Sequence, residues 1–195
     1  MEYGICHLGI IPARSEDSDR SEIVTQVLFG EHFEVVEQKE RWLKIRLHHD
    51  NYEAWICQKQ WKEITHEDFD NLSINEFPVV GERATFVTNV KTQEQIPVTY
   101  GAVLPYFQNG RFRLRNEEYK YDGEVATLNK SDLTTYAQSL LNTPYLWGGR
   151  GPLGIDCSGF AQLVYRLTGM AIPRDAYQQA ELGDTISFHE LVETG

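Results

Sequence analysis

The hydrophobic pattern of the chain changes its period at about residue 130. Before this point, short stretches alternate apolar and polar residues, as in 42–47, where Leu43, Ile45 and Leu47 share one face of a predicted strand. After it, apolar residues recur every three or four positions, which predicts two helices. Their apolar faces are made of Leu133, Tyr136, Ala137, Leu140 and Leu141, and of Phe160, Leu163, Val164 and Leu167. The pattern therefore indicates an α+β chain whose strands precede its helices.

The β part divides into two predicted units, at residues 1–66 and 67–130, and residues 131–195 form a third region. Both β units contain a Gly, a hydrophobic strand, a polar turn and an aromatic strand, which favours two copies of one small β-barrel. The polar, acidic stretch 65–73 between them is expected to be a linker or a short helical turn. The glycine-rich stretch 148–154 is expected to be a flexible loop.

Charge and cysteine content exclude several classes of function. The chain has 18 Lys and Arg against 29 Asp and Glu, a net charge of −11, so it has no basic excess to neutralise nucleic acid or an anionic membrane. Its 3 cysteines are odd in number and far apart, unlike a disulfide framework or a zinc site. Neither a signal peptide nor an apolar run of the ~20 residues that span a membrane is visible, which predicts a cytoplasmic protein.

The stretch GIDCSGFAQLVYRLTG, residues 154–169, places a thiol at the start of the second predicted helix. The unpaired N–H groups and the positive end of the helix dipole favour the thiolate there, and only the thiolate is a good nucleophile. Cysteine is also among the most buried residue types, so core packing is the alternative for Cys157. For Cys6 and Cys57, which lie in apolar strand patterns, core packing is the expectation.

The sequence motifs PYLWGGRGPLGIDCSGF and IPRDAYQQA resemble the NlpC family of bacterial cell-wall cysteine peptidases, a papain-like group. The two β units resemble the paired bacterial SH3 domains of one branch of that family. The resemblance implies two SH3-like barrels followed by the N-terminal part of a papain-like domain. It also implies cleavage of γ-D-glutamyl–diamino acid bonds in murein peptides that have a free N-terminal L-Ala.

The same resemblance implies roles for individual residues. Cys157 matches the nucleophile, and Tyr145 matches a tyrosine near the oxyanion. The matched substrate-binding positions are Glu16, Tyr52, Asp156, Ser158, Asp175 and Ala176. Simpler readings stay open: either aspartate could cap a helix, the tyrosines could be core residues, and Glu16 could be a solvated turn residue.

The chain departs from the family pattern after the Cys157 helix. In the family, a histidine base lies on a strand beyond the nucleophile, whereas this chain stops at HELVETG. We therefore expect that the base and most of its sheet are missing, that His189 does not replace the base, and that the Cys157 helix loses the cover of its apolar face. A non-catalytic module that binds murein peptide, or a decayed peptidase remnant, is the alternative function. His48 and His49 are expected on opposite faces of a strand, a poor metal pair.

The sequence thus predicts a monomeric cysteine peptidase of cell-wall recycling. Its expected partner is the murein peptide L-Ala-γ-D-Glu-diamino acid, with no nucleic acid or membrane partner. We expect no metal and no organic cofactor.

Overall fold

The structure, a computed structural model, describes residues 2–184. The first part of the chain forms one antiparallel sheet in the order β3-β2-β6-β5-β4-β1-β7. Its strands are β1 (Glu2–Ile5), β2 (Ile10–Arg14), β3 (Ile23–Leu28), β4 (His32–Gln38), β5 (Trp42–Leu47), β6 (Glu53–Cys57) and β7 (Lys62–Ile64). Since this order is linear, closure of the sheet into a barrel stays a prediction.

Alternation along the strands builds the core of this sheet. In β5 the residues Leu43, Ile45 and Leu47 are fully buried, as the period of two predicts, while Lys44 and Arg46 between them are partly exposed. They pack with apolar residues of the neighbouring strands in one cluster. One face of the sheet is therefore buried in an apolar core.

Residues 66–74, expected to lie in a linker or short helical turn, form a complete helix, α1 (His66–Ile74). Its N-terminus is held by a capping box, in which the Thr65 hydroxyl accepts the Asp68 N–H and the Asp68 carboxylate accepts the Thr65 N–H. Phe69 and Leu72 of α1 pack in a second apolar cluster with strands of both sheets.

A second antiparallel sheet follows, in the order β10-β11-β8-β9. Its strands are β8 (Ala84–Asn89), β9 (Gln95–Thr99), β10 (Arg111–Leu114) and β11 (Glu117–Lys120). Phe112 and Leu114 are buried while Arg111 and Arg113 face water, as the alternation predicts. The turn at Asn109 and Gly110 leads into β10, and residues 115–116 link β10 to β11.

The last region is mainly helical, so the structure confirms a chain of mixed helices and sheets. It contains α2 (Leu133–Ser139), the short strands β12 (Arg150–Gly151) and β13 (Gly154–Ile155), α3 (Cys157–Leu167) and α4 (Ala176–Ala180). Among residues 2–184 the longest helix, α3, has 11 residues, and none has the length and apolar character to cross a membrane.

Three of the four residues on the apolar face of α3 are covered, which corrects in part the expectation that this face lacks a partner, while the fourth, Phe160, is 36% exposed. Leu163, Val164 and Leu167 are buried in a cluster with Val79 and Tyr100 of the second β unit. Residues of α2 and β13 complete this cluster. The second β unit therefore supplies the surface on which the Cys157 helix rests.

Candidate active site

Cys157 is the first residue of α3, and its side chain is exposed. Asp156 is the N-cap: its Oδ1 accepts the Gly159 N–H at 2.7 Å. The N–H groups of Cys157 and Ser158 have no hydrogen-bond acceptor among residues 2–184, as expected for the first turn of a helix. An accessible thiol therefore lies beside backbone N–H groups that are free to bind a negative charge.

The loop before α3 packs tightly against the first turn of that helix. The Gly148 N–H donates to Asp156 Oδ2 at 2.8 Å, and a Cβ on Gly159 would lie 2.2 Å from the Gly149 carbonyl oxygen. A side chain at 159 would therefore push this loop away from the helix. The segment 148–154, expected to be a flexible loop, instead forms the hairpin β12–β13.

Tyr145 lies next to the strand that enters α3. It is bridged to Ile155, and its side chain is 67% exposed. The exposure excludes the simple alternative of a core tyrosine. The proposed role of its hydroxyl near an oxyanion stays a prediction.

Arg174 joins both residues that flank Cys157. Its Nη2 donates to Asp156 Oδ2 at 2.7 Å, and its Nη1 donates to Ser158 Oγ at 2.7 Å. Burial raises the pKa of Asp156, but Arg174 and the N–H groups of Gly159 and Gly148 outweigh burial and hold that pKa below its ordinary value. Asp156 is thus an ionised, buried carboxylate whose oxygens both have partners, in addition to its role as N-cap.

Tyr52 and Asp175, which are predicted to bind substrate from different parts of the chain, lie together. Tyr52 immediately precedes β6 of the first sheet, and Asp175 is the N-cap of α4 without a side-chain capping bond. Burial, with Asp175 facing the hydroxyl, raises the pKa of Tyr52 to about 12. The Tyr52 hydroxyl therefore lies close enough to the Asp175 carboxylate to feel its charge, and we call these two groups the Tyr52–Asp175 pair.

The other two predicted substrate-binding residues are at the surface. Glu16 lies in the exposed turn after β2, and Arg14, the last residue of β2, pairs with Trp55 of β6. Ala176 is the exposed first residue of α4. Their contact with a substrate stays a prediction.

A buried ion cluster that the sequence analysis did not find joins the first sheet to the hairpin β12–β13. Arg150 Nη1 and Nη2 each lie 3.0 Å from an oxygen of Glu31, and Nη1 also donates to the Gln26 carbonyl at 2.6 Å. Arg166 of α3 lies 3.2 Å from the same carboxylate. Because Glu31 is 2% exposed, this cluster needs its full set of partners.

Gln162 of α3 forms a second link that was missed. Its Nε2 donates to Asp50 Oδ2 at 2.9 Å and to the Ile172 carbonyl at 3.1 Å. Asp50 lies two residues before Tyr52, and Ile172 lies three residues before Asp175. Gln162 therefore fixes the two segments that carry the Tyr52–Asp175 pair.

Two histidines expected on opposite faces of a strand lie instead in the turn after β5. The His48 ring stacks on His32 with centroids 4.6 Å apart, and His49 Nε2 lies 3.2 Å from Asp50 Oδ2. Burial and the neighbouring histidines lower the pKa of His32 to about 3. Over the described range the structure has no group of three or more His, Cys, Asp or Glu side chains arranged to hold a metal ion.

No histidine among residues 2–184 forms a hydrogen bond or ion pair with Cys157. His189, which the sequence analysis rejected as a substitute base, lies outside the described residues. The described part of the site thus contains an exposed thiol at a helix start, with polar side chains around it and no histidine bonded to it.

Comparisons with protein-family models match two parts of the chain. Residues 14–60 match the bacterial dipeptidyl-peptidase SH3 domain, and residues 142–193 match the NlpC/P60 family. The second match includes Tyr145, Cys157 and Asp175.

Curated relatives match over most of the chain. It is 27% identical over 201 residues to a γ-D-glutamyl-L-lysine dipeptidyl-peptidase of Bacillus cereus, covering 89% of this chain and 59% of the relative. It is 26% identical over 188 residues to the protein of that name from Bacillus subtilis, covering 87% and 61%. The chain therefore spans about three fifths of the length of these two relatives.

A solved structure shares the fold. The crystal structure of an NlpC/P60 family protein from Bacillus cereus superimposes with a TM-score of 0.82 at 20% identity, covering 97% of this chain and 80% of that one. The relative arrangement of the sheets and of the Cys157 helix is therefore one that occurs in a known protein.

Proposed function

Because residues 142–193 match the NlpC/P60 family, we propose that the chain is a cysteine peptidase specific for murein peptides. The bond cleaved is the one between the γ-carbonyl of D-Glu and a diamino acid, in peptides with a free N-terminal L-Ala. Two curated relatives named γ-D-glutamyl-L-lysine dipeptidyl-peptidase support this substrate class and favour L-Lys as the diamino acid.

The observation that carries the proposal is the exposed thiol of Cys157 at the first turn of α3. The thiolate attacks the γ-carbonyl carbon of D-Glu, and the negative charge that develops on oxygen meets the free N–H groups of Cys157 and Ser158. The amide C–N bond then breaks, and the leaving amine takes up a proton. Water hydrolyses the thioester, which releases the acid and returns the thiol.

Recognition of the free amine is assigned to the Tyr52–Asp175 pair, with Glu16 as a second carboxylate. A carboxylate that faces an ammonium group accounts physically for a free-amine requirement, because an acylated amine has no charge to pair. Asp156 is less suited to this task, since Arg174 already pairs with it at 2.7 Å. Its carboxylate holds the helix start and the Gly148 loop instead.

A second candidate is a non-catalytic module that binds the same murein peptide. It is favoured by one observation: within residues 2–184 no histidine contacts the thiol. In this alternative the Tyr52–Asp175 pair still holds the peptide amine, and Cys157 forms no thioester.

Hydrolysis of L-Ala-γ-D-Glu-L-Lys by the 195-residue chain separates the two candidates. Release of L-Lys is followed by mass spectrometry, with Cys157→Ala as the inactive variant and Cys57→Ala in β6 as the matched cysteine control. The peptidase proposal expects release that Cys157→Ala abolishes and Cys57→Ala preserves. Binding of the peptide without release of L-Lys would favour the binding module.

The N-acetylated form of the same peptide tests the assignment of the amine site. We expect its kcat/KM to be lower by at least about tenfold, the loss of one charged hydrogen bond. Asp175→Asn is expected to weaken binding of the free-amine peptide and to reduce its preference over the acetylated form. Equal rates for both peptides with the unaltered chain would refute this assignment.

A further inference from the structure

Arg174 is a buried cation that contacts both neighbours of Cys157 and one residue of the first sheet. It is 2% exposed, and its two terminal nitrogens bind Asp156 and Ser158, the residues on either side of Cys157. Its third nitrogen, Nε, donates to Thr25 Oγ1 of β3 at 3.2 Å. The side chain therefore connects the first sheet to the start of α3.

The charge of Asp156 is what makes this contact relevant to the thiol. The carboxylate is ionised, because its pKa is below its ordinary value, and it belongs to the residue directly before Cys157. An unbalanced negative charge at that position repels the negative charge of a reacting thiolate. The guanidinium of Arg174, 2.7 Å from the carboxylate, balances it.

We propose that Arg174 is a positioning residue for the nucleophile: it balances the negative charge of Asp156 beside the Cys157 thiol, and it fixes the helix start against Thr25 of the first sheet. The inference rests on the proposed function, in which Cys157 is the nucleophile. It assigns no contact between Arg174 and substrate.

The test is the rate at which iodoacetamide alkylates Cys157 at pH 7, measured by peptide mass spectrometry. This reaction needs neither a peptide substrate nor a general base, so the test remains valid even if the chain does not hydrolyse murein peptide. Half-buried Cys57 is alkylated in the same sample and serves as the internal reference for partial unfolding. Circular dichroism establishes that each variant is folded.

Four variants separate charge from structure. Arg174→Met is expected to slow alkylation of Cys157 by roughly three- to tenfold. Asp156→Asn, which retains a residue able to cap the helix, is expected to accelerate it by a similar factor. The double variant is expected to return to within about twofold of the parent, and Arg174→Lys, which keeps the charge, to within about threefold.

The inference is overturned if folded Arg174→Met reacts as fast as the parent, or if the double variant is as slow as Arg174→Met alone. If Arg174→Met does not fold, the alkylation rates of Asp156→Asn and Arg174→Lys test the inference. Slower alkylation of Asp156→Asn, or alkylation of Arg174→Lys reduced by tenfold or more, would then overturn it.

Discussion

Removal of Arg150 is expected to destabilise the protein strongly, because it leaves a carboxylate buried without its main partner. The Arg150 side chain is 3% exposed and that of Glu31 is 2% exposed. The Arg150→Met variant loses two hydrogen bonds of 3.0 Å to Glu31 and one of 2.6 Å to the Gln26 carbonyl. Breaking a buried ion pair from one side typically costs about 3–5 kcal/mol, and we expect a loss of that size.

Urea unfolding, followed by far-UV circular dichroism and by tryptophan fluorescence, measures this loss. The matched control is Arg41→Met, since Arg41 pairs with Asp19 at a similar distance, 3.2 Å, but with side chains 71% and 66% exposed. That variant should lose less than about 1 kcal/mol. The reasoning is refuted if the two arginine variants are destabilised equally.

The Glu31–Arg150 ion pair also predicts how the stability of the protein changes with pH. Although burial raises the pKa of Glu31, Arg150, His49 and Arg166 outweigh burial and lower it from 4.5 to about 2. Because the pKa of Glu31 is lower in the folded protein than in the unfolded chain, its ionised form stabilises the folded protein above pH 4.5, by about 3 kcal/mol. This contribution disappears as the pH falls from 4.5 toward 2. The stability difference between the parent and Arg150→Met should therefore be smaller at pH 3 than at pH 7, and a constant difference would contradict this.

Two further changes test packing around α3. Gly159→Ala should destabilise the protein by about 2 kcal/mol or more, because the added Cβ would lie 2.2 Å from the Gly149 carbonyl oxygen. Its control is Gly183→Ala, which should change stability by less than about 0.5 kcal/mol, because no atom lies within 4 Å of a Cβ at that position. Leu163→Ala should cost about 2–5 kcal/mol, because the side chain is 3% exposed, whereas Leu153→Ala, 71% exposed, should be nearly neutral. Equal urea midpoints within either pair would contradict the packing described.

The start and end of the Cys157 helix could be predicted from sequence because their causes are local. Asp156 is a preferred N-cap type, and its side chain does bind the N–H three residues later. Gly169 has a φ of 81°, and its N–H binds the Arg166 carbonyl, so the helix ends where a glycine permits the left-handed conformation. Both signals lie within one helical turn of the residues that they control.

The hairpin at 150–155 could not be predicted, because its cause is distant in sequence. Its glycines indicate a loop, but Arg150 is held by Glu31, 119 residues earlier. The same holds for Arg174, which reaches Thr25 across 149 positions. Periodicity identifies the strands and helices of each unit, whereas the ion pairs that join the units depend on the tertiary fold.

Resemblance to a family supplied the residue roles that composition could not. Tyr52 and Asp175 are unremarkable in sequence, and only the fold brings them together. The sheet and helix that carry them are held by Gln162, whose side-chain amide spans both segments. A buried glutamine on an otherwise apolar helix face was the available signal, and its partners could not be identified without the structure.

Mass spectrometry of the chain, quenched in acid shortly after mixing with L-Ala-γ-D-Glu-L-Lys, tests the central claim most directly. If Cys157 is the nucleophile, the digest contains a Cys157 peptide heavier by the L-Ala-D-Glu acyl group, and L-Lys appears in at least an equal amount, because each acylation releases one L-Lys and hydrolysis then removes the adduct. The adduct should be absent from Cys157→Ala and unaffected by Cys57→Ala. Release of L-Lys by Cys157→Ala, or an adduct on another residue, would contradict the account.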